Sequence, residues 1–203
     1  MNKKDFAALT PPMGWNSYDY YNTGVTEAQI RENARYMADH LKQFGWEYIV
    51  VDIQWSDPNA LALVPEVQYV PFTHFCLDEW SRQIPAPNRF PSSANGAGFK
   101  PLADYVHSLG LKFGIHIMRG IPRFCAHNHT PILGTNGITA DKIANPFSVS
   151  KWNGDMYGVD CTKEGAQAYY DSIFALYAEW GVDFVKVDDI CNTNMYPHTP
   201  YSA

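Results

Sequence analysis

The stretch "DFVKVDDI", Asp183 to Ile190, reads as a buried strand whose far end carries a lysine and two adjacent carboxylates. A strand that needed only burial would use Val, Ile and Phe throughout. Alternation along a strand puts Lys186 and Asp188 on one side and Val187 and Asp189 on the other. Lys186 and Asp188 could form a structural ion pair, but burying one is costly and adds little net stability. A nucleophilic carboxylate held ionised by a neighbouring ammonium accounts better for the placement. Asp189, facing away, reads as a cap for the following loop.

Upstream, the pattern repeats. "TKEGAQAYYDSIFALYAEWG" reads as a helix with Thr162 as cap and Gly181 as stop, leading into the quoted strand. "LKFGIHIMRG" is a strand preceded by the short helix "FKPLADYVHSLG". "WEYIVVDIQW" is a strand whose apolar run, Tyr48 to Val51, suits burial on both faces. The helix before it starts at Thr26, carries Ile30, Ala34, Met37, Ala38 and Leu41 at helical spacing, and stops at Gly45. With "MGWNSY" as the first strand the order is β-α-β-α-β-α-β, an α/β class with a parallel sheet and right-handed crossovers. Two irregular stretches, from about Ser56 to Gly98 and from Gly120 to about Asp160, leave strands at the C-terminal edge, where βα folds bind ligands. No glycine-rich phosphate fingerprint follows a strand, so a (β/α)8 TIM barrel is favoured over a nucleotide-binding open sheet. Four strands make half of such a barrel.

The strand ends are polar. Asp52 could simply cap the loop behind it, or it could accept hydrogen bonds from the hydroxyls of a polyol. Trp15, Tyr18 and Trp55 stand at comparable places. Each alone is best read as a core or rim aromatic. Together with a carboxylate they suit a pyranose, which offers one apolar C–H face and a rim of hydroxyls. His116, between Ile115 and Ile117, could be a satisfied core histidine; beside Asp52 and Asp188 it reads as a ligand-binding group. Arg119 shares that strand end. No second histidine sits at metal-ligand spacing, and no cofactor is expected.

Composition narrows the partners. The chain has 203 residues, 46% of them apolar, and a net charge of −6, enough for one domain with a real core. No basic cluster with interleaved aromatics points to nucleic acid or an anionic membrane. The start has no apolar run of a secretory signal, so a cytoplasmic location is expected unless a signal was removed. Cys76, Cys125, Cys161 and Cys191 lie far apart without a CxxC pair, as scattered reduced thiols would.

"TPPMGWNSY", "YIVVDIQW", "RFPSS" with "GFKPLADYVHSLGLKFGIHI", and "WGVDFVKVDDI", in this order, resemble the α-galactosidase and α-N-acetylgalactosaminidase family of retaining glycoside hydrolases, family 27 of clan D. The resemblance runs from about Thr10 to Cys191. It implies a catalytic (β/α)8 barrel followed by a β-sandwich, with residues 1–203 supplying the first part of the barrel. It implies Asp188 as the nucleophile, Lys186 as a sugar-binding lysine, Asp52 as the first of two aspartates that hold galactose hydroxyls, and Trp15 and Tyr18 as walls of the sugar site. A galactose-containing oligosaccharide or glycoconjugate is the implied partner. Two positions depart from the pattern: the second aspartate is Ile53, and His116 stands where many members carry Tyr. The family often links the loops after strands three and four by a disulfide, for which Cys125 and Cys191 are near the right places. Its general acid/base lies beyond strand four, so residues 1–203 read as an N-terminal piece without that group, inactive alone and prone to self-association through unpaired strand edges. The competing reading is a non-catalytic carbohydrate-binding half-barrel, or one completed by association.

Overall fold

The computed structural model describes residues 9–61, 74–149 and 153–190. Its core is a four-stranded parallel sheet made of β1 (Gly14–Asn16), β2 (Tyr48–Val51), β3 (Lys112–Met118) and the last strand, Phe184–Asp188, which is β7 in chain order. The spatial order is β1-β2-β3-β7, and every pairing is parallel. This is the expected alternation, and the sheet is open among the described residues. At Gly14 a Cβ would run into the Tyr48 backbone, so only glycine lets β1 lie this close to β2.

Three helices carry the crossovers. After the short turn of helix α1 (Tyr18–Tyr21), α2 (Glu27–Tyr36) starts at Thr26, whose N–H donates to the Gln29 side chain at 2.9 Å. It continues through a π-turn at Met37–Leu41 and a 3-10 turn at Lys42–Phe44 to Gly45, which takes the left-handed φ of 91° expected of a helix stop. Helix α3 (Lys100–Ser108) buries Leu102, Ala103 and Val106. The last helix, α6 (Ala166–Glu179), buries Tyr169, Ile173 and Tyr177, while Phe174 is exposed. Thr162 does not cap it. The Asp160 carboxylate takes the Thr162 N–H and Oγ1–H into a turn, and the helix starts four residues later, behind Gly165.

Between sheet and helices lies an aromatic core. Phe99 is its hub, with ring centroids 5.2 Å from Phe90, 5.3 Å from Trp55, 5.4 Å from Phe113 and 5.7 Å from Trp180, mostly edge to face.

The second long stretch is not an irregular loop. It folds into a small antiparallel sheet in the order β4-β6-β5, from β4 (Ile121–Pro122), β5 (Ala144–Val149) and β6 (Met156–Val159), with the short helices α4 (Arg123–His127) and α5 (Ala140–Ile143). Its strands are short and broken by Pro146 and a register shift, so they carry no clean alternation to read. Arg119, just after β3, ties this sheet to the end of β7: its Nη1 donates to Ser148 Oγ and its backbone N–H to the Asp188 carbonyl.

Candidate active site

The C-terminal ends of β1, β2, β3 and β7 bring Asn16, Asp52, His116, Lys186 and Asp188 together. Parallel register explains why: His116 pairs with Lys186 and Met118 with Asp188, so the ring of His116 meets the carboxylate of Asp188 diagonally. His116 Nε2 lies 3.2 Å from Asp188 Oδ2, and Asp188 Oδ1 accepts the Asp189 N–H at 2.8 Å. The hydrogen bond from His116 is the main reason the Asp188 carboxyl is held below the ordinary 3.8; burial opposes it, and the Asp189 N–H and the Lys186 charge add to it. The Asp188 side chain is 39% exposed, so an ionised carboxylate is open to solvent at the strand end.

Lys186 does not pair directly with Asp188, as the quoted strand suggested. Its Nζ donates to Asp52 Oδ2 at 2.9 Å, reaching over β3 to do so. Asp52 is only 2% exposed. It also accepts from Asn16 Nδ2 and from its neighbour's N–H at Ile53, while its own N–H donates to Ser17 Oγ at 2.9 Å. Burial pushes its carboxyl up. The charge of His116 and the hydrogen bonds from Ile53, Asn16 and Lys186 together outweigh that, and it too is held below 3.8. Asp52 therefore supports the fold at every pH above the value for the unfolded chain. That support is lost as pH falls below about 3.8 towards the folded value. In urea titrations the wild-type midpoint should drop over this acid range, and the drop should be smaller in Asp52→Asn; equal slopes would mean that Asp52 carries no linkage.

The other expected site residues take different places. Trp15 is half-buried, its ring 6.0 Å from Tyr21. Tyr18 packs on a small apolar cluster of Ile53, Met118 and Met156 at the rim, and its N–H donates to Asn16 Oδ1. Trp55 is 2% exposed and sits under the site: its indole N–H donates to the His116 carbonyl at 2.7 Å, and its ring is part of the aromatic core. Asp189 is not a simple loop cap. It is buried against Arg119, with Nε 3.3 Å from Oδ2. A narrow pocket beside His116 is lined by Ile53, Trp55, Phe75, Met118 and Met156 together with the polar Gln54, Asn153 and Asp155; Asp52, Lys186 and Asp188 lie outside its lining. Asn16, in the first strand, joins the site through Asp52, 36 residues away, a partner that only the sheet reveals.

Cys125 is buried, its Sγ 3.8 Å from the Ser81 carbonyl, and burial pushes its thiol up to about 11. Cys191, its expected partner, lies outside the described residues. Among the described residues no group of three His, Cys, Asp or Glu is arranged to hold a metal, and no helix is long and apolar enough to cross a membrane.

No protein-family model matches the chain. The chain is 62% identical to a β-L-arabinopyranosidase of glycoside hydrolase family 27 from Geobacillus stearothermophilus, with a TM-score of 0.89, over 94% of this chain and 43% of that one. An Asp-to-Ala variant of that enzyme, solved with arabinose, matches at 61% identity and a TM-score of 0.88. Among curated proteins, an α-galactosidase from Coffea arabica is 29% identical over 95% of this chain and 36% of its own length. The chain thus spans less than half the length of these relatives, and its four parallel strands are the first four of a (β/α)8 barrel. On these matches, and on the strand ends that carry Asp52, Lys186 and Asp188, the chain belongs to glycoside hydrolase family 27.

Proposed function

We propose that the protein is the nucleophile-bearing part of a retaining glycoside hydrolase acting on terminal pyranosides of galacto configuration. The observation that carries this reading is Asp188: a carboxylate at a strand end, 39% exposed, fixed by His116 and the Asp189 N–H and held ionised. In the reaction, an Asp188 oxygen attacks the anomeric carbon as the bond to the leaving oxygen breaks, giving a covalent glycosyl ester that water later hydrolyses. Lys186, 41% exposed, supplies donors for ring hydroxyls. The buried Asp52 beneath holds its ammonium in place and reaches a hydroxyl only by releasing one of its present donors. The leaving oxygen needs a proton from a second carboxyl roughly 5 Å from the nucleophile. Asp52, held ionised beside Lys186, is no proton donor near neutral pH, and the reading assigns that group to a carboxyl outside these 203 residues.

Ile53 bears on the sugar. It is buried among Met118 and Met156, with Tyr18 and Phe75 against them, so the wall beside Asp52 is apolar. An α-galactoside carries a hydroxymethyl group on C5. A β-L-arabinopyranoside has the same ring without it, and an apolar wall prefers the sugar with no hydroxyl to leave unpaired. We therefore favour the β-L-arabinopyranoside over the α-galactosyl substrate, a preference consistent with the naming of the Geobacillus relative.

Dinitrophenyl glycosides test both points, because their leaving group departs without a proton. Mixed with the 203-residue chain, the β-L-arabinopyranoside should release one equivalent of dinitrophenol and leave one pentosyl group on Asp188, seen by intact and peptide mass spectrometry. The α-galactoside should react about 10- to 100-fold more slowly, and Ile53→Asp should narrow or reverse that ratio. Sugar binding without any adduct would leave a carbohydrate-binding module and sink the catalytic reading.

A further inference from the structure

Two residues behind the site carboxylates adopt left-handed backbone although neither is glycine: Asp189, with φ 65°, after Asp188, and Gln54, with φ 64°, two residues after Asp52. Such backbone persists in an L-residue only where its surroundings impose it. At both places the N–H that follows the carboxylate turns back on it: Asp189 N–H to Asp188 Oδ1, and Ile53 N–H to Asp52 Oδ1, each 2.8 Å. At both places a buried arginine donates to the carbonyl of the left-handed residue. Arg119 Nε reaches the Asp189 carbonyl at 3.1 Å, and Arg89 Nη1 reaches the Gln54 carbonyl at 2.6 Å. Each arginine is anchored elsewhere. Arg119 donates its Nη1 to Ser148 Oγ on the small sheet, and its backbone N–H to the Asp188 carbonyl. Arg89 also donates to the carbonyls of Asp57, Thr23 and Val25, joining the turns behind β1 and β2.

We propose that Arg119 and Arg89 are positioning residues, each clamping the carbonyl of the left-handed residue behind a site carboxylate and so aiming a backbone N–H at that carboxylate. The planar guanidinium fork suits this, since it can hold several carbonyls at fixed angles where an ammonium cannot. Neither arginine touches the sugar on this reading; both act through the turn. The proposal rests on Asp188 and Asp52 being the site carboxylates, and it gives the buried "R" of "RFPSS" and the Arg119 of "MRG" a task that composition alone does not suggest.

The other groups facing these carboxylates remain in place when an arginine is changed: His116, Lys186 and Asp52 around Asp188, and Asn16, His116 and Lys186 around Asp52. Arg119 also faces the buried Asp189 carboxylate, with Nε 3.3 Å from Oδ2, so the Arg119 variants are made in an Asp189→Asn background as well, where that charge is absent. Carboxyl carbon NMR titration of the 203-residue chain in both backgrounds then isolates the clamps, and a shift that vanishes with Asp189→Asn overturns the clamp at Asp188. Arg119→Met should move the titration of Asp188 up towards that of an ordinary aspartate and leave Asp52 nearly unmoved; Arg89→Met should do the reverse. Lysine at either place should give the same crossed pattern at smaller size, and carries the comparison where the methionine variant fails to fold. With the dinitrophenyl arabinoside, Arg119→Met should slow labelling of Asp188 by about tenfold. Unmoved titrations, or both carboxyls moving equally in each variant as general loosening would produce, overturn the proposal. Wild-type protein that forms no adduct would sink the nucleophile reading instead, while the titrations, which need no turnover, still decide the clamps.

Discussion

Asp188→Asn should lose labelling by the dinitrophenyl arabinoside by several orders of magnitude while the chain stays folded. An amide oxygen is a poor nucleophile, and covalent catalysis has no substitute at that strand end. The fold should tolerate the change because the Asp188 side chain is 39% exposed, and an asparagine can still accept the Asp189 N–H. His116 keeps its place, since its strand is fixed from below by Trp55. The measurements are the dinitrophenol burst and the far-ultraviolet circular dichroism of the same sample. A variant that labels at a substantial fraction of the wild-type rate would remove Asp188 from the chemistry.

Trp55→Ala should cost about 3–5 kcal/mol of stability, the usual range for removing a large buried aromatic. The ring is packed edge to face against Phe99 and, at 6.3 Å between centroids, against Trp180, so a cavity would open at the centre of the core. The His116 carbonyl would also lose its donor. Trp55→Phe separates the two effects: it keeps most of the ring and loses only the hydrogen bond, for a cost of about 1 kcal/mol from that bond plus a small packing loss. Urea midpoints measure both. Equal, small losses in the two variants would mean that Trp55 is not the support beneath the site.

Much of this could be read from the order of residues. "YIVV" and "DFVKVD" are short apolar runs with polar ends, and each became a parallel strand because helices of clear 3.6-residue spacing lie between them. Thr26 and Gly45 mark their helix ends because capping is local chemistry, settled within a turn. Thr162 misled for the same reason: it has the right residue type, but Asp160, two residues away, offered it a competing turn. The small antiparallel sheet stayed hidden because its pairings, such as Ile121 with Tyr157, depend on tertiary contact rather than on a run of alternating residues. That Asp52, Lys186 and Asp188 stand at the ends of parallel strands was legible, and their partners were not. Which carboxylate takes the lysine depends on how far the sheet curves, and the sequence carries no direct mark of that.

The Lys186–Asp52 contact joins residues 134 apart and reaches over an intervening strand. Until β7 docks, Asp52 lies in its strand end without its cation, and Asp188 has no His116 to meet. A slip of β7 by one residue would present Val185 and Val187 to Asp52 and His116 and turn both charged groups away. Lys186 and Asp52 thus act as a register key for the last strand. They make the correct alignment the one that neutralises Asp52, and they tie completion of the chemistry to one of the longest-range pairings in the sheet, which contact-order arguments place late in folding.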